Sequence, residues 1–253
     1  MKKIFLCITI LAAFVSCTPS WVRELESKNP LKDSTDYISV YFRFDTIVNG
    51  YEVSGILYPL YTEKYGWNDS ENGVRLFFHD LKTGKEYVWT DWSEKYQTFD
   101  WLFMSQNVDN IVSNKKFKGF KNGDSYIFTY NDFRYDGADN MLYPYAEYQF
   151  YDADFDGEDE LLIGFYRGGP YCGTCYDIYD ITDSALVRKK PDDTAFIIDI
   201  NTVFDSINKT IITYFHGGAN IWGNYYYQVN EDGDFRRVKE VHHCFDIEEV
   251  KTY

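Results

Sequence analysis

Apolar and polar residues alternate along much of the chain, and helical spacing is scarce. Ile38, Val40, Phe42 and Phe44 alternate with Tyr37, Ser39, Tyr41 and Arg43, the period of a half-buried strand. Asn49-Gly50 offers a tight hairpin turn into a second strand over Tyr51 to Tyr58. Val74 to Phe78 and Lys85 to Thr90 form a further predicted hairpin around Lys82-Thr83-Gly84, and Asn122-Gly123 leads into a strand at Ser125 to Tyr130. Further strands are predicted at 147–151, 160–166, 176–181, 210–215, 224–230 and 235–241. Only Trp92 to Val112 has spacing suited to a helix, with Phe99, Leu102 and Phe103 able to share a face. Many short strands punctuated by Gly, Asn and Asp predict a mainly β fold: an antiparallel β-sandwich, barrel or small propeller-like domain with few short helices. It should occupy residues 37–253 as one domain, with a subdivision near 133–145 as the alternative.

The first residues follow a different rule. Lys2 and Lys3 precede an almost unbroken apolar run from Ile4 to Val15. As a helix that run spans ~18 Å, short of a bilayer core of ~30 Å, so it reads as a secretory signal and not as a membrane span. It ends in Phe14-Val15-Ser16-Cys17, which resembles the lipobox of bacterial lipoproteins, although Phe14 stands where leucine is usual. The resemblance implies cleavage after residue 16, lipid on the Cys17 thiol, and a place in the bacterial cell envelope, the outer membrane ahead of the inner. Residues 17–36, polar and carrying Pro19 and Pro30, read as the lipidated N-terminus and a tether.

Composition narrows the partners. The chain has 25 basic and 40 acidic residues; losing Lys2 and Lys3 with the signal leaves 23 against 40, a net charge of −17. Such a surface repels nucleic acid and anionic lipid headgroups and suits a cationic protein or divalent cations. With 24 Tyr, 20 Phe and 6 Trp, aromatic residues supply both core and amphipathic contact surface.

The strongest chemical signal is Asp152-Ala153-Asp154-Phe155-Asp156-Gly157-Glu158-Asp159-Glu160. Calcium takes six to eight oxygens at about 2.3–2.6 Å. Alternate residues of a tight loop can turn Asp152, Asp154 and Asp156 towards one ion. Gly157 permits the reversal, residue 158 can offer its carbonyl, and Glu160 can close the shell. Glu158 adds a further carboxylate. The twelfth position is Ile163, where an EF-hand requires glutamate, and the flanks read as strands. The string resembles the aspartate-rich loops of FG-GAP and related extracellular β-proteins, which implies calcium. The competing reading is a solvated acidic turn.

Cys172, Cys175 and Cys244 remain once Cys7 has left and Cys17 is lipidated. Cys172-Gly173-Thr174-Cys175 has the spacing of a redox or zinc pair, but a strand-like segment follows it where a thioredoxin-type site needs a helix. A structural disulfide, unpaired thiols, and a zinc shell completed from His242-His243-Cys244 are all open. His79 and His216 stand alone as ordinary polar residues.

No Gly-x-Ser-x-Gly elbow, His-Glu-x-x-His helix or phosphate loop is present, so no enzyme is expected. A hydrolase built on two of the 40 acids has no distinguishing signature. From about Glu147 onward the acidic loop, Tyr176-Asp177-Ile178-Tyr179-Asp180, Val203 to Ile212, His216-Gly217-Gly218-Ala219-Asn220 and Tyr225-Tyr226-Tyr227 together resemble exported calcium-loop β-proteins related to periplasmic lysozyme inhibitors and immunity proteins. Those inhibitors present a Ser-Gly-x-x-Tyr loop to the enzyme. Ser54-Gly55-Ile56-Leu57-Tyr58 matches the string early in the chain, while the later position holds His216 to Asn220. The resemblance implies Ser54, Tyr58, His216 and Asn220 as partner-binding candidates. The expected function is therefore a lipid-anchored, calcium-binding envelope protein that binds a macromolecule, a basic lysozyme-like hydrolase being the implied partner. The alternative is a glycan-binding lipoprotein using Trp89, Trp92, Trp101 and Trp222.

Overall fold

The computed structural model describes residues 18–34, 37–59, 73–92, 120–130, 147–166, 174–189, 193, 195–218, 220–230, 233–245 and 247–253, with backbone alone at 61–62 and 66–67. Cys17, Cys172, Trp101, the 93–112 stretch and the 133–145 boundary lie outside these residues. Among the described residues, no helix is long and apolar enough to cross a membrane.

Three β-sheets stack as layers. The front sheet holds β1 (Val40–Phe44), β2 (Tyr51–Tyr58), β5 (Gly73–Asp80), β6 (Glu86–Asp91) and β7 (Ser125–Phe128), in the order β6-β5-β2-β1-β7. Between β2 and β5, β3 (Tyr61–Thr62) and β4 (Gly66–Trp67) form a separate two-stranded ladder. All front-sheet neighbours are antiparallel except β1 and β7, which run parallel. The middle sheet runs β11-β10-β9-β8, from β8 (Tyr148–Tyr151), β9 (Glu160–Tyr166), β10 (Thr174–Ile181) and β11 (Leu186–Arg188), with β12 (Ile198–Asp199) also on β10. The back sheet is the meander β13 (Val203–Asp205), β14 (Thr210–Gly218), β15 (Ile221–Val229), β16 (Phe235–Cys244) and β17 (Ile247–Thr252). The sandwich expectation holds. Among the described strands the sheets stay open, and no barrel closes.

The layering follows from residue parity. On β9, Leu161, Ile163 and Phe165 face the front sheet and join Val40, Phe42, Phe44, Leu76 and Phe78 in one core. Leu162, with Tyr176 and Ile178 of β10, faces the back sheet and packs on Phe204, Ile211 and Tyr227. Apolar side chains on both faces explain why Leu161 to Phe165 lacks the alternation of a half-buried strand. Tyr148 fastens front to middle, its ring centroid 5.1 Å from Phe44, 5.6 Å from Phe78 and 5.0 Å from Tyr130.

Several turns form as the sequence predicts. Asn49 and Gly50 both have positive φ, 51° and 81°, and Val48 and Tyr51 exchange backbone hydrogen bonds across them, as a two-residue hairpin of primed type requires. Within the segment read as a tether, however, Ser20–Lys28 forms a helix, α1. At nine residues it is too short to persist alone in water. Docking sustains it: Val22 and Leu25 sit on Tyr41, Ile56, Tyr58 and Phe77 of the front sheet's outer face. Burying each of those two aliphatic side chains contributes about 1.5–3 kcal/mol.

Candidate metal centre

The acidic loop joins β8 to β9 at one end of the middle sheet. Ala153 is fully buried in the core beneath it, and Phe155 packs edge-on to Phe204 of the back sheet at 6.5 Å. Lys209, in the β13–β14 turn, donates to the Phe155 carbonyl at 3.2 Å. Phe155 itself has φ of 63°, and Gly157 has φ of 96°, so the chain reverses through two left-handed residues. Nothing lies within 4 Å of where a Gly157 Cβ would stand, so backbone geometry alone requires glycine there.

This reversal turns the carboxylates inward. One oxygen each from Asp152, Asp154 and Asp156 lies within 4.8 Å of the others. A second group within the same limit comprises Asp154, Glu160 and Asp180, so Asp154 belongs to both. The loop's own N–H groups hold the carboxylates in place. Asp156 N–H donates to Asp154 Oδ1 at 3.2 Å, Gly157 N–H to Asp152 Oδ2 at 3.2 Å, and Glu158 N–H to Asp156 Oδ1 at 2.8 Å. Beneath them, Ala153 N–H donates to Glu160 Oε2 at 2.7 Å. The Glu158 side chain is exposed and outside both groups.

Burial makes the cluster electrostatically demanding. Glu160 is only 4% exposed and Asp154 7%. Burial pushes Glu160 up to about 8; neighbouring Asp154 and Asp156 add to this, while the Ala153 N–H and Lys189 oppose it. Burial likewise raises Asp152, against the hydrogen bonds it accepts from Gly157 and Asp156. The Asp152 Oδ1 atom is buried with no hydrogen-bond partner. On the far side of Asp154, Lys189 supplies compensation, reaching Asp154 Oδ2 at 2.5 Å and Asp180 Oδ1 at 3.0 Å. Burial works against the Lys189 charge, but the hydrogen bonds to the two carboxylates outweigh it and hold its pKa above the usual value. These residues and Gly233, Asn230 and Lys209 border a cleft of about 410 Å³.

The donor set is all oxygen, the chemistry a hard cation takes, and one buried carboxylate oxygen is without a hydrogen-bond partner. Asp152, Asp154 and Asp156 could hold such a cation, whereas Glu160, expected to close that shell, groups instead with Asp154 and Asp180. Lys189 and Asp180 were not found by sequence reasoning. They lie 35 and 26 positions beyond Asp154 and carry no local spacing signal.

The remaining candidates are dispersed. Ser54 and Tyr58 lie within β2, which pairs with β1 and β5 on its two sides, so Ser54–Tyr58 is an inner strand and not a presented loop. Tyr58 is 1% exposed and donates from its hydroxyl to Asn29 Oδ1 at 2.8 Å. A Cβ on Gly55 would fall 2.4 Å from the Phe42 ring, so packing accounts for this glycine. His216 and Asn220 flank the β14–β15 turn, where Asn220 accepts from Phe245 N–H at 3.0 Å. Cys175 is buried between front and middle sheets, while Cys244 ends β16. Neither joins a metal-binding group of three among the described residues. His242 and His243 instead pack on rings, His243 stacking on Trp222 at 3.8 Å and His242 against Phe215 at 4.7 Å. Trp89 is a core residue, and Trp92 stacks on Tyr58.

No protein-family model and no curated protein matches this chain. One solved structure, described as that of a Xanthomonas type IV secretion system related protein, aligns over 87% of this chain and 90% of its own. The identity is 10% and the TM-score 0.45, too distant to carry over an activity or a partner.

Proposed function

We propose that this chain is a calcium-binding, lipid-anchored protein of the bacterial cell envelope, a non-enzymatic β-domain that binds a macromolecular partner. One observation carries the calcium part: three loop carboxylates converge within 4.8 Å, and one of their buried oxygens has no partner. A bound divalent ion offsets both their mutual repulsion and that unmet demand. It would also fix the β8–β9 loop and preorganise the surface around it. The anchor and the address rest on the Cys17 signal in the sequence. Net charge of −15 favours a basic partner, of which a lysozyme-like cell-wall hydrolase is the implied class. The Ser54–Tyr58 strand gives that partner class no support.

Calorimetry with calcium on chelator-stripped protein beginning at Thr18 is the test. One site, lost in the Asp154→Asn/Asp156→Asn double variant, is expected. At a hundredfold excess over its dissociation constant the ion adds about 2.7 kcal/mol of stability. Absence of both binding heat and a melting shift would reduce the loop to a solvated turn. Titration with a basic lysozyme then tests the partner, and unchanged enzyme activity at saturating protein would discard it.

A groove favours glycan as the second reading. It measures about 420 Å³, between α1 and the front sheet, and is lined by Trp21, Glu24, Arg43, Glu52, Ser54 and His79 among others. Its wall combines the Trp21 ring with polar groups, Arg43 Cζ lying 5.5 Å from the ring centroid. Quenching of tryptophan fluorescence by cell-wall oligosaccharides, abolished in Trp21→Ala, would support it.

A further inference from the structure

The back sheet ends in an open edge. Among the described strands β17 pairs only with β16, and all six of its residues are exposed. Tyr253 N–H donates to Val238 O at 3.0 Å, so residue 253 directs its backbone groups towards β16. Antiparallel pairing alternates, which turns the N–H and C=O of Glu248, Val250 and Thr252 outward. An edge of this kind takes up another strand unless it is blunted.

The side chains of β17 complement a second β17 in one register. Around a two-fold axis at Val250, antiparallel pairing sets Val250 against Val250 and exchanges their outward N–H and C=O groups. Glu249 then opposes Lys251 on both sides of the axis. Beyond them Glu248 opposes Thr252, and Ile247 opposes Tyr253. The apolar members are available, with Ile247 63%, Val250 52% and Tyr253 59% exposed. A two-fold axis normal to the sheet passes only through a directly opposed pair, hydrogen-bonded or not, so the neighbouring choices are Glu248, Glu249, Lys251 and Thr252. Centring on Glu248, Glu249 or Lys251 sets like charges together, and centring on Thr252 sets Lys251 against Tyr253 and no longer against Glu249.

Charge continues this match across the sheet. Lys251 Nζ already lies 3.0 Å from Glu240 Oε1 on β16, with its side chain 60% exposed. In the two-fold register Lys251 stands between its own Glu240 and Glu249 of the second copy. That Glu249 in turn lies across from its own His242. Opposite charges directly across a ladder stabilise it, and like charges there weaken it.

We infer that β17 is a self-association edge, through which two copies of this chain join their back sheets into one continuous sheet about a two-fold axis at Val250. Net charge opposes the approach of two copies at long range, but at ~0.15 M salt the repulsion is screened over ~8 Å.

Sedimentation velocity over a concentration series at that ionic strength tests this, with two variants. Val250→Pro removes an outward N–H while leaving the β16 ladder its donors, so it should abolish the dimer without lowering the melting temperature of dilute protein. Glu249→Lys sets lysine against Lys251 twice and should weaken the dimer by about tenfold or more. A wild-type chain that stays monomeric at the highest concentration overturns the inference and leaves the edge to a foreign strand or to solvent. So does a dimer that persists in both Val250→Pro and Glu249→Lys.

Discussion

Lys189 Nζ lies 2.5 Å from Asp154 Oδ2, the carboxylate shared by the two acidic groups of the β8–β9 loop. A lysine from beyond β11 thus supplies a cation where the loop itself has none. Lys189→Met leaves the buried Asp154 without its ion partner. In chelator this should cost about 3 kcal/mol, or roughly 6–12 °C in melting temperature for a chain of this size. Calcium should restore most of the loss, because the ion takes over the compensating charge. Melting curves with and without calcium read both effects. Equal melting of variant and wild type in chelator would show that the pair contributes nothing.

Gly157→Ala should act through the backbone. No atom obstructs the new methyl group, but φ of 96° costs an alanine about 1–2 kcal/mol. Because the bound loop needs the reversal most, calcium affinity should fall by about tenfold. Calorimetry measures the change. Unaltered affinity would mean that the loop binds in another conformation.

Stability should fall with rising pH through Glu147. This side chain is buried, its Oε2 has no partner, and burial pushes its pKa up to about 7. Below about 4.5 the carboxyl is protonated whether folded or unfolded, and its contribution is fully present. Between about 4.5 and 7 the unfolded chain releases the proton and the folded one retains it, so stability declines with pH and then levels off. Glu147→Gln should flatten the decline, a gain on the order of 3 kcal/mol at pH 8. Denaturant melts at pH 4.5 and pH 8 compare the two proteins. Parallel pH profiles would rule out Glu147 as the source.

Asn29→Ala should release α1. Asn29 Nδ2 donates to Ser39 Oγ at 2.9 Å and Tyr41 Oη at 3.1 Å, while its Oδ1 accepts from the Tyr58 hydroxyl at 2.8 Å and Leu31 N–H at 2.9 Å. Removing this buried amide strands several polar groups, at a cost of about 2–4 kcal/mol. Amide exchange across residues 20–28 should rise ahead of the front sheet. Exchange that stays protected would show that Val22 and Leu25 hold the helix alone.

Where the sequence was legible, a local physical rule operated. Tyr51–Tyr58 and Glu160–Tyr166 form strands at the predicted positions, because Asn49-Gly50 and the acidic loop fix their starting points. The 210–215, 224–230 and 235–241 strands extend further than alternation indicated, reaching Thr210–Gly218, Ile221–Val229 and Phe235–Cys244. Strand β17 gave no signal, since an edge strand with every residue exposed has no buried face to impose alternation. Helix α1 was missed for the opposite reason. Its apolar stripe is too small to register until the outer face of the front sheet is in place to receive it.

The sequence by itself determined the β class, the turn positions and the loop that gathers Asp152, Asp154 and Asp156, because each depends on neighbours within a few residues. Only the tertiary structure decided the stacking of three sheets, the burial of Tyr58 and the open edge at β17. It also decided the pairing of Asp154 with Lys189. These depend on which surfaces meet after long stretches of chain have folded back, and no local period or spacing encodes that.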